Sequence, residues 1–338
     1  MCTASPGEPC VKILTKTVQG KTVSYTRMGL GLAALGRPGY MTLGHEEDLP
    51  AERTREAMML HAIQVLDAAW AAGIRSFDVA RSYGAGEEFL SQWLRIRNIS
   101  RDEVFVSSKW GYTYTADWKV DAPQHEIKSH NLVTLRRQMA ESSGYLGHWL
   151  RLYQIHSATL DSGVLENCEV LDELARLRDG GLIIGLSLSG ARQSDTLEKA
   201  MLIKRGEESL FGSVQATWNL HERSVGPMLA AAHLQGWMVM VKEGLANGRL
   251  TQRGISRDSS LGELCHSLGY TPDAIALAAI LQQPWADMVL SGAAAVDHLH
   301  SNVQALEVSW KPEWNSKLQL LCETPEQYWQ YRNQLVWN

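Results

Sequence analysis

The sequence predicts an α/β fold, a (β/α)8 barrel of the TIM-barrel class, with an N-terminal β-hairpin and a C-terminal helical, aromatic tail. Three observations carry that prediction. Short β-rich runs alternate with amphipathic helical segments along almost the whole 338 residues. Most of the strand candidates are apolar throughout rather than alternating, as parallel strands covered on both faces are. The alternation amounts to eight strand–helix units, over about the length such a barrel takes.

Taken in order, residues 11–25 read as a hairpin turning at Gln19-Gly20, and a strand then ends near Leu32. The other seven strand candidates are RSFDVA, VFVSSKW, WLRLYQIH, LIIGLSLS, GSVQATW, WMVMVKE and DMVLSG. Helical spacing runs from Ala57 to Ala72, Glu87 to Ile96, Leu165 to Arg178, Ser194 to Lys204 and Pro227 to Leu234. Two segments stand outside this alternation. Tyr112 to Pro123 is polar and aromatic and follows the third strand, so a loop over the active face is expected there. The extension over residues 309–338 carries Trp314, Tyr328, Trp329, Tyr331 and Trp337. These aromatics either cover a pocket mouth or pack terminal helices on the barrel. No Pro/Gly/Ser-rich linker, charge block or low-complexity stretch divides the chain, so residues 1–338 are expected to form one domain.

Composition excludes several classes of function. A net charge of −5 argues against a nucleic-acid binder, which needs a basic face. No apolar run is long enough to span a bilayer, and the first residues lack the charged-then-apolar layout of a secretory signal. Cys2, Cys10, Cys168, Cys265 and Cys322 are odd in number and scattered, without a CxxC pair. That pattern suits reduced thiols, so a cytoplasmic location is expected, with no disulfide framework and no metal site.

One motif points elsewhere. Gly29, Gly31 and Ala34 satisfy GxGxxA, with acidic residues downstream, as at the start of a dinucleotide-binding βαβ unit. That motif must open a helix, and Leu35-Gly36-Arg37-Pro38-Gly39 breaks any helix at once. The glycines read instead as a strand end that lets backbone approach a ligand.

The chemistry-bearing residues stand at strand ends. Asp78 ends SFD, Tyr83 follows it, Lys109 closes VFVSSK and His156 closes LYQIH. A lone His or Lys at such a place is usually a packing or ion-pair residue. Four proton-transfer groups at three adjacent C-terminal strand ends, where barrels of this class keep their catalytic mouth, point to a site.

On these residues the chain resembles the aldo-keto reductase family. FDVARSYGAGEEFL is similar to that family's FDTAxxYGxSExxL, VFVSSKWG to its lysine-bearing strand, and LYQIH to LYLIH. GLIIGLSLS is similar to GKIRxIGVSN, VQATWNLHERS to VQxxYNLLxR, and VLSGAAAVDHLHSNVQAL to the C-terminal cofactor-binding segment, all in the family's order. The resemblance implies a nicotinamide-dependent oxidoreductase that moves hydride reversibly between NAD(P)(H) and a small aldehyde, ketone or sugar. In that reading Tyr83 is the general acid/base. Its hydroxyl, with a free pKa near ~10, needs help from Lys109, which Asp78 holds charged. His156 orients the substrate oxygen. The alternatives are a nicotinamide-binding sensor or regulatory subunit with little turnover, and a metal- or phosphate-dependent barrel enzyme. The missing ligand clusters disfavour the latter.

The resemblance also implies cofactor contacts: Gly31, Ser187 and Gln215 near the nicotinamide, and Gly244, Leu245, Asn247, Gly248 and Arg249 in a loop over the pyrophosphate. Gly292, His298 and Asn302 fall at the adenosine end. The sequence departs from the family at three places. Leu188 replaces the asparagine after the serine, and Lys242 stands where an aromatic often stacks on the nicotinamide, with Trp218 a possible substitute. ESSGYLGHWLRLY alters the join before the fourth strand, an outer feature of the barrel. The adenosine segment holds no Arg or Lys for a 2′-phosphate, yet the family favours NADP(H). NADP(H) is therefore preferred narrowly, with NAD(H) or dual use the alternative. An NAD enzyme would suit oxidation of a sugar lactol or a pyridoxal-like alcohol, and an NADPH enzyme aldehyde reduction. Trp110, Tyr112, Tyr114 and Trp118 are expected to shape a flat substrate pocket. A monomer or weak homodimer is expected.

Overall fold

Hydrogen bonding closes eight parallel strands into a barrel. The computed structural model describes residues 11–257 and 259–338; Cys2 and Cys10, and the first residues read for a leader, lie outside them. The elements run β1 (Ile13–Val18), β2 (Lys21–Thr26), β3 (Met28–Gly31), α1 (Arg55–Ala71), β4 (Ser76–Asp78), α2 (Gly86–Ile96) and β5 (Phe105–Trp110). A small antiparallel pair follows, β6 (Tyr112–Tyr114) with β7 (Glu126–Lys128), then α3 (Leu132–Leu146), β8 (Leu150–Ala158), α4 (Cys168–Asp179), β9 (Ile183–Leu188) and α5 (Gln193–Met201). Next come a short pair, β10 (Lys204–Arg205) and β11 (Glu208–Ser209), then β12 (Ser213–Thr217), α6 (Gly226–Leu234) and β13 (Met238–Lys242). The chain ends through α7 (Ser260–Leu268), α8 (Pro272–Leu281), β14 (Met288–Ser291), α9 (Val296–Val303), α10 (Glu313–Leu318) and α11 (Pro325–Asn333). The barrel order is β3-β4-β5-β8-β9-β12-β13-β14, with β14 returning to β3. No single helix among the described residues is long and apolar enough to cross a membrane.

The barrel encloses two different interiors. At its N-terminal end Phe105, Leu152, Ile183, Met238, Met240 and Met288 form an apolar plug, and Val18, Val23 and Tyr25 of the β1–β2 hairpin cover it. The hairpin turns at Gln19 and Gly20 with positive φ at both, the geometry whose twist suits a two-residue turn. The Gln19 side chain fixes it to the barrel, donating to Leu210 O at 2.8 Å and accepting from Ile184 N at 3.0 Å. At the C-terminal end the inward positions are polar: Asp78, Ser107, Lys109, Gln154, Ser187 and Gln215, all buried. The outward positions of the same strands pack in one continuous apolar shell against the helices.

The segment after β3 is turn and bend rather than helix, which fits the rejection of the dinucleotide motif. The α5 helix ends at Met201, short of the expected Lys204. The chain reverses there through Gly206 at φ 67° to pair β10 with β11. In the altered join, α3 ends at Leu146, Gly147 takes φ 51°, and Trp149 Nε1 donates to Ile99 O at 3.0 Å on the outside of the barrel. Cys168, Cys265 and Cys322 are free thiols.

Burial makes the fold acid-sensitive. Desolvation lowers the pKa of His45 and of His130 to about 4. Above pH 6.5 folded and unfolded chains are both neutral at these sites. Between 6.5 and about 4 only the unfolded chain takes up protons, so stability falls, and below about 4 the loss levels off. Acidification from pH 7 to 4 is expected to remove roughly 3 kcal/mol through His45 alone. Urea unfolding would show it, and His45→Met is expected to fall less steeply; an identical slope in that variant would remove His45 from the account.

Candidate active site

The site is assembled by backbone contact between two loops. Gly36, after β3, lies so close to the Tyr83 turn that a Cβ there would meet Tyr83 O at 2.2 Å. Ala85 N donates to Gly36 O at 2.8 Å, and Gly84 turns the chain at φ 57° where a side chain would strike the same carbonyl. This packing holds Tyr83 over the barrel mouth. Lys109 stands on β5 and His156 on β8, the adjoining strands.

Lys109 is the centre of the polar layer. Its Nζ donates to Asp78 Oδ2 at 2.5 Å, to Val79 O at 3.0 Å and to the Tyr83 hydroxyl at 3.4 Å. The remaining oxygen of Asp78 accepts from Ser107 Oγ at 2.6 Å, Gln215 Nε2 at 3.0 Å and Gln154 Nε2 at 3.4 Å. These donors keep a buried carboxylate satisfied, as burial of a charge requires. The Tyr83 and His156 rings meet edge to face with centroids 5.5 Å apart, and His156 Nδ1 lies 3.4 Å from Ser82 Oγ.

The electrostatics differ from expectation at Tyr83. Burial first, then the Asp78 charge, raises its pKa well above 10, while Arg37 works in the lowering direction. Lys109, which holds Asp78 at 2.5 Å and lies 3.4 Å from the Tyr83 hydroxyl, does not offset that burial. His156 is pushed well below 6.5, by burial and then by Lys109, Lys242 and Arg37, and is neutral at physiological pH.

Above these residues opens a cavity of about 1080 Å3. Asp78, Tyr83 and His156 line it, together with Gly31, Tyr112, Gln215, Lys242, Gly244, Leu245, Asn247, Gly248, Gly292, His298 and Asn302. Lys109 lies beneath, 1% exposed. Several expected residues are elsewhere. Ser187 is fully buried below the rim and its Oγ accepts from Ser157 N at 2.8 Å; Ser189, two residues on, reaches the cavity. Leu188 belongs to the outer apolar shell, so the family's asparagine position faces away from the cavity here. Arg249 pairs with Glu323 and lies over the Tyr331 ring at 4.3 Å. Trp110 is buried against His130 because successive strand residues point to opposite faces, and Lys109 already points inward. Trp118 donates its Nε1 to Arg53 O at 2.6 Å, and Trp218 packs edge-on against Trp285; neither lines the cavity. Tyr114 is also absent from the lining.

Other residues enter that the sequence did not single out. Arg37 pairs with Glu126 at 2.6 Å and sits among the rings of Tyr40, Tyr83 and Trp337, at 5.1, 5.1 and 4.5 Å from their centroids. Trp337 stacks on His125 with centroids 4.0 Å apart. The tail therefore divides its work. Trp337 and Arg332 reach the cavity, while Trp314, Tyr328 and Trp329 are buried in the apolar shell. At the far end Asp48 receives Arg253 through both nitrogens, at 2.6 and 2.9 Å, and lies 3.6 Å from His298 Nε2. Asn302, with its amide oriented to satisfy both ends, accepts from Ser291 Oγ and donates to Asp273, each at 2.8 Å. Arg37 and Tyr40 stand in a loop just after a strand, a place that could have flagged them. Arg332, on the last helix, had no such signal.

Residues 27–321 match the model of the Aldo/keto reductase family. The chain is similar to the oxidoreductase YqkF of Bacillus subtilis (strain 168), 23% identical over 79% of this chain and 85% of that one. It is similar also to the aldo-keto reductase ausK of Emericella nidulans, 22% identical over 75% and 70%. Among solved structures, the holo form of aldo-keto reductase AKR11C1 from Bacillus halodurans shares the fold. Its TM-score is 0.68 at 18% identity, covering 94% of this chain and all of that one. The chain belongs to the aldo/keto reductase family, the NAD(P)H-dependent oxidoreductases of carbonyl compounds.

Proposed function

We propose that the cavity binds a nicotinamide dinucleotide and that Tyr83 exchanges the proton with a small carbonyl or alcohol. The observation that carries this reading is the placement of Lys109 Nζ between Asp78 and the Tyr83 hydroxyl at the cavity floor, with His156 beside them. The cavity suits such a cofactor: its volume is at the upper end of ligand pockets, and two lining residues carry buried polar atoms without a partner among the described residues, Asn247 Oδ1 and His45 Nε2. Gln215 would lie against the nicotinamide, the Gly244–Gly248 turn along the phosphates, Asn247 Oδ1 where it accepts from a ribose hydroxyl, and Asn302 and Asp48 at the adenosine. When bound, the reduced cofactor supplies the hydride. Tyr83 keeps its proton through neutral pH and gives it to the oxygen that becomes alkoxide. Lys109, at 3.4 Å, stabilises the phenolate as it forms. His156 is neutral, so it orients the carbonyl oxygen by hydrogen bonding without protonating it. The Tyr40, Tyr112 and Trp337 rings at the mouth favour a flat, ring-bearing substrate.

For the cofactor we favour NAD(H) over the NADP(H) preferred from sequence. Arg253 is the lining cation near His298 among the described residues, and Asp48 already holds it through two hydrogen bonds. With Glu47 3.2 Å from Arg253 and Asp273 also in the wall, a 2′-phosphate would meet an excess of negative charge. Tryptophan fluorescence titration with NADH and NADPH side by side tests both points. Tighter NADH binding is expected. Tighter NADPH binding would reverse the preference, and binding of neither would end the nicotinamide reading. Turnover of an aldehyde panel then separates an enzyme from a sensor that binds without reacting.

A further inference from the structure

Lys242 is a partly buried ammonium in the cavity wall that the proton chemistry does not use. It ends β13 in register with Thr217 of β12, and its Nζ donates to Thr217 Oγ1 at 2.9 Å. Thr217 in turn donates to Glu243 Oε2 at 2.8 Å, and Lys242 Nζ lies 3.9 Å from the same carboxylate. Glu243 also carries Arg332, at 3.0 Å. Burial pushes the Glu243 carboxyl up, but Lys242 and Arg332 outweigh it and hold the pKa at about 2.

The charges around the reacting groups can be paired off. Lys109 is matched by Asp78 and Arg37 by Glu126. Lys242 and Arg332 share the single carboxylate of Glu243, so one positive charge is left over at this wall. That surplus is felt at the catalytic end, where Lys242 helps depress His156. Burial lowers the Lys242 pKa to about 8, which leaves the ammonium in the majority at pH 7.

Hydride transfer requires the nicotinamide ring to touch the substrate carbon whose oxygen meets Tyr83. The ring must therefore lie in the part of the cavity beside Tyr83 and His156, where the Lys242 charge is felt. Reduced nicotinamide is uncharged and the oxidised ring is a cation. We propose that Lys242 is a specificity-determining residue that makes this site discriminate between the two, holding the uncharged reduced ring more tightly than the oxidised one. The inference rests on the nicotinamide reading above. A unit charge several ångströms away in a medium of intermediate dielectric changes such a ratio by about tenfold or more. For a two-electron couple, tenfold corresponds to about 30 mV in the potential of the bound cofactor.

The test is equilibrium binding of NAD+, NADH and ADP-ribose to the intact wild-type chain, Lys242→Met and Lys242→Arg. In the wild type NADH is expected to bind more tightly than NAD+. In Lys242→Met the ratio of the two dissociation constants is expected to shrink about tenfold, mainly through tighter NAD+. Lys242→Arg keeps the charge and is expected to keep most of the ratio, and ADP-ribose, lacking the ring, is expected to bind all three alike. An unchanged ratio in Lys242→Met overturns the proposal. So does an equal loss for all three ligands, the signature of a merely structural lysine. If Lys242→Met does not fold, Lys242→Gln serves the same comparison. Failure of the wild type to bind any of the ligands overturns the nicotinamide site itself, and this inference with it.

Discussion

Tyr83→Phe is expected to lower turnover by about 10^2- to 10^4-fold while leaving cofactor affinity nearly unchanged. The substitution removes one hydroxyl and keeps the ring, so the edge-on contact with His156 and the packing under Arg37 survive. What is lost is the proton donor. Burial and Asp78 hold the Tyr83 pKa well above 10, so the wild-type hydroxyl remains protonated across the physiological range. In the reduction direction neither Tyr83 nor His156, pushed far below 6.5, is expected to titrate through neutral pH, so a change in rate toward pH 8 is expected to follow Lys242. Single-turnover kinetics and cofactor titration on the same preparation separate the two effects. Wild-type turnover in Tyr83→Phe would remove Tyr83 from the reaction. Equal losses of turnover and affinity would mean that the tyrosine shapes the binding site instead.

The residues that the structure brings together were legible from sequence to different depths, for physical reasons. The barrel strands are short apolar runs whose two faces are both buried, and all eight were readable. Asp78, Tyr83, Lys109 and His156, which the structure brings together, could be grouped from sequence because strand ends gather side chains from different parts of the chain. Helix α8 was not delimited. It is buried on every side and its apolar residues show no amphipathic period. Trp110 was misplaced although the strand period alone puts it opposite Lys109. Ser187 was misplaced because a motif match says nothing of depth: its hydroxyl lies below the rim, and Ser189 is the one in the wall. The Arg37–Glu126 and Arg332–Glu243 pairs each join residues 89 positions apart, a separation no local pattern encodes. The polar floor of the barrel could thus be read from sequence, whereas most of its charged rim could not.

Lys109→Met is expected to cost about 3–5 kcal/mol of folding free energy as well as most turnover. The Lys109 side chain is inaccessible and that of Asp78 only 4% exposed, so water cannot replace the lost cation. Asp78 would keep its neutral donors, Ser107, Gln154 and Gln215, which stabilise a carboxylate without neutralising it. The Tyr83 hydroxyl would lose its 3.4 Å partner at the same time. Adding Asp78→Asn should restore much of the stability, because the uncompensated charge is then gone, but not the turnover, since the Lys109 ammonium no longer stands beside the Tyr83 hydroxyl to stabilise the phenolate. Urea unfolding of the wild type, both single variants and the double variant isolates this coupling. A Lys109→Met protein as stable as the wild type would show that no charged pair holds the barrel floor. A double variant no more stable than Lys109→Met would place the cost in lost packing. Recovery of stability without recovery of turnover is the expected outcome, because the fold needs only a balanced charge, whereas the reaction needs the ammonium itself beside Tyr83.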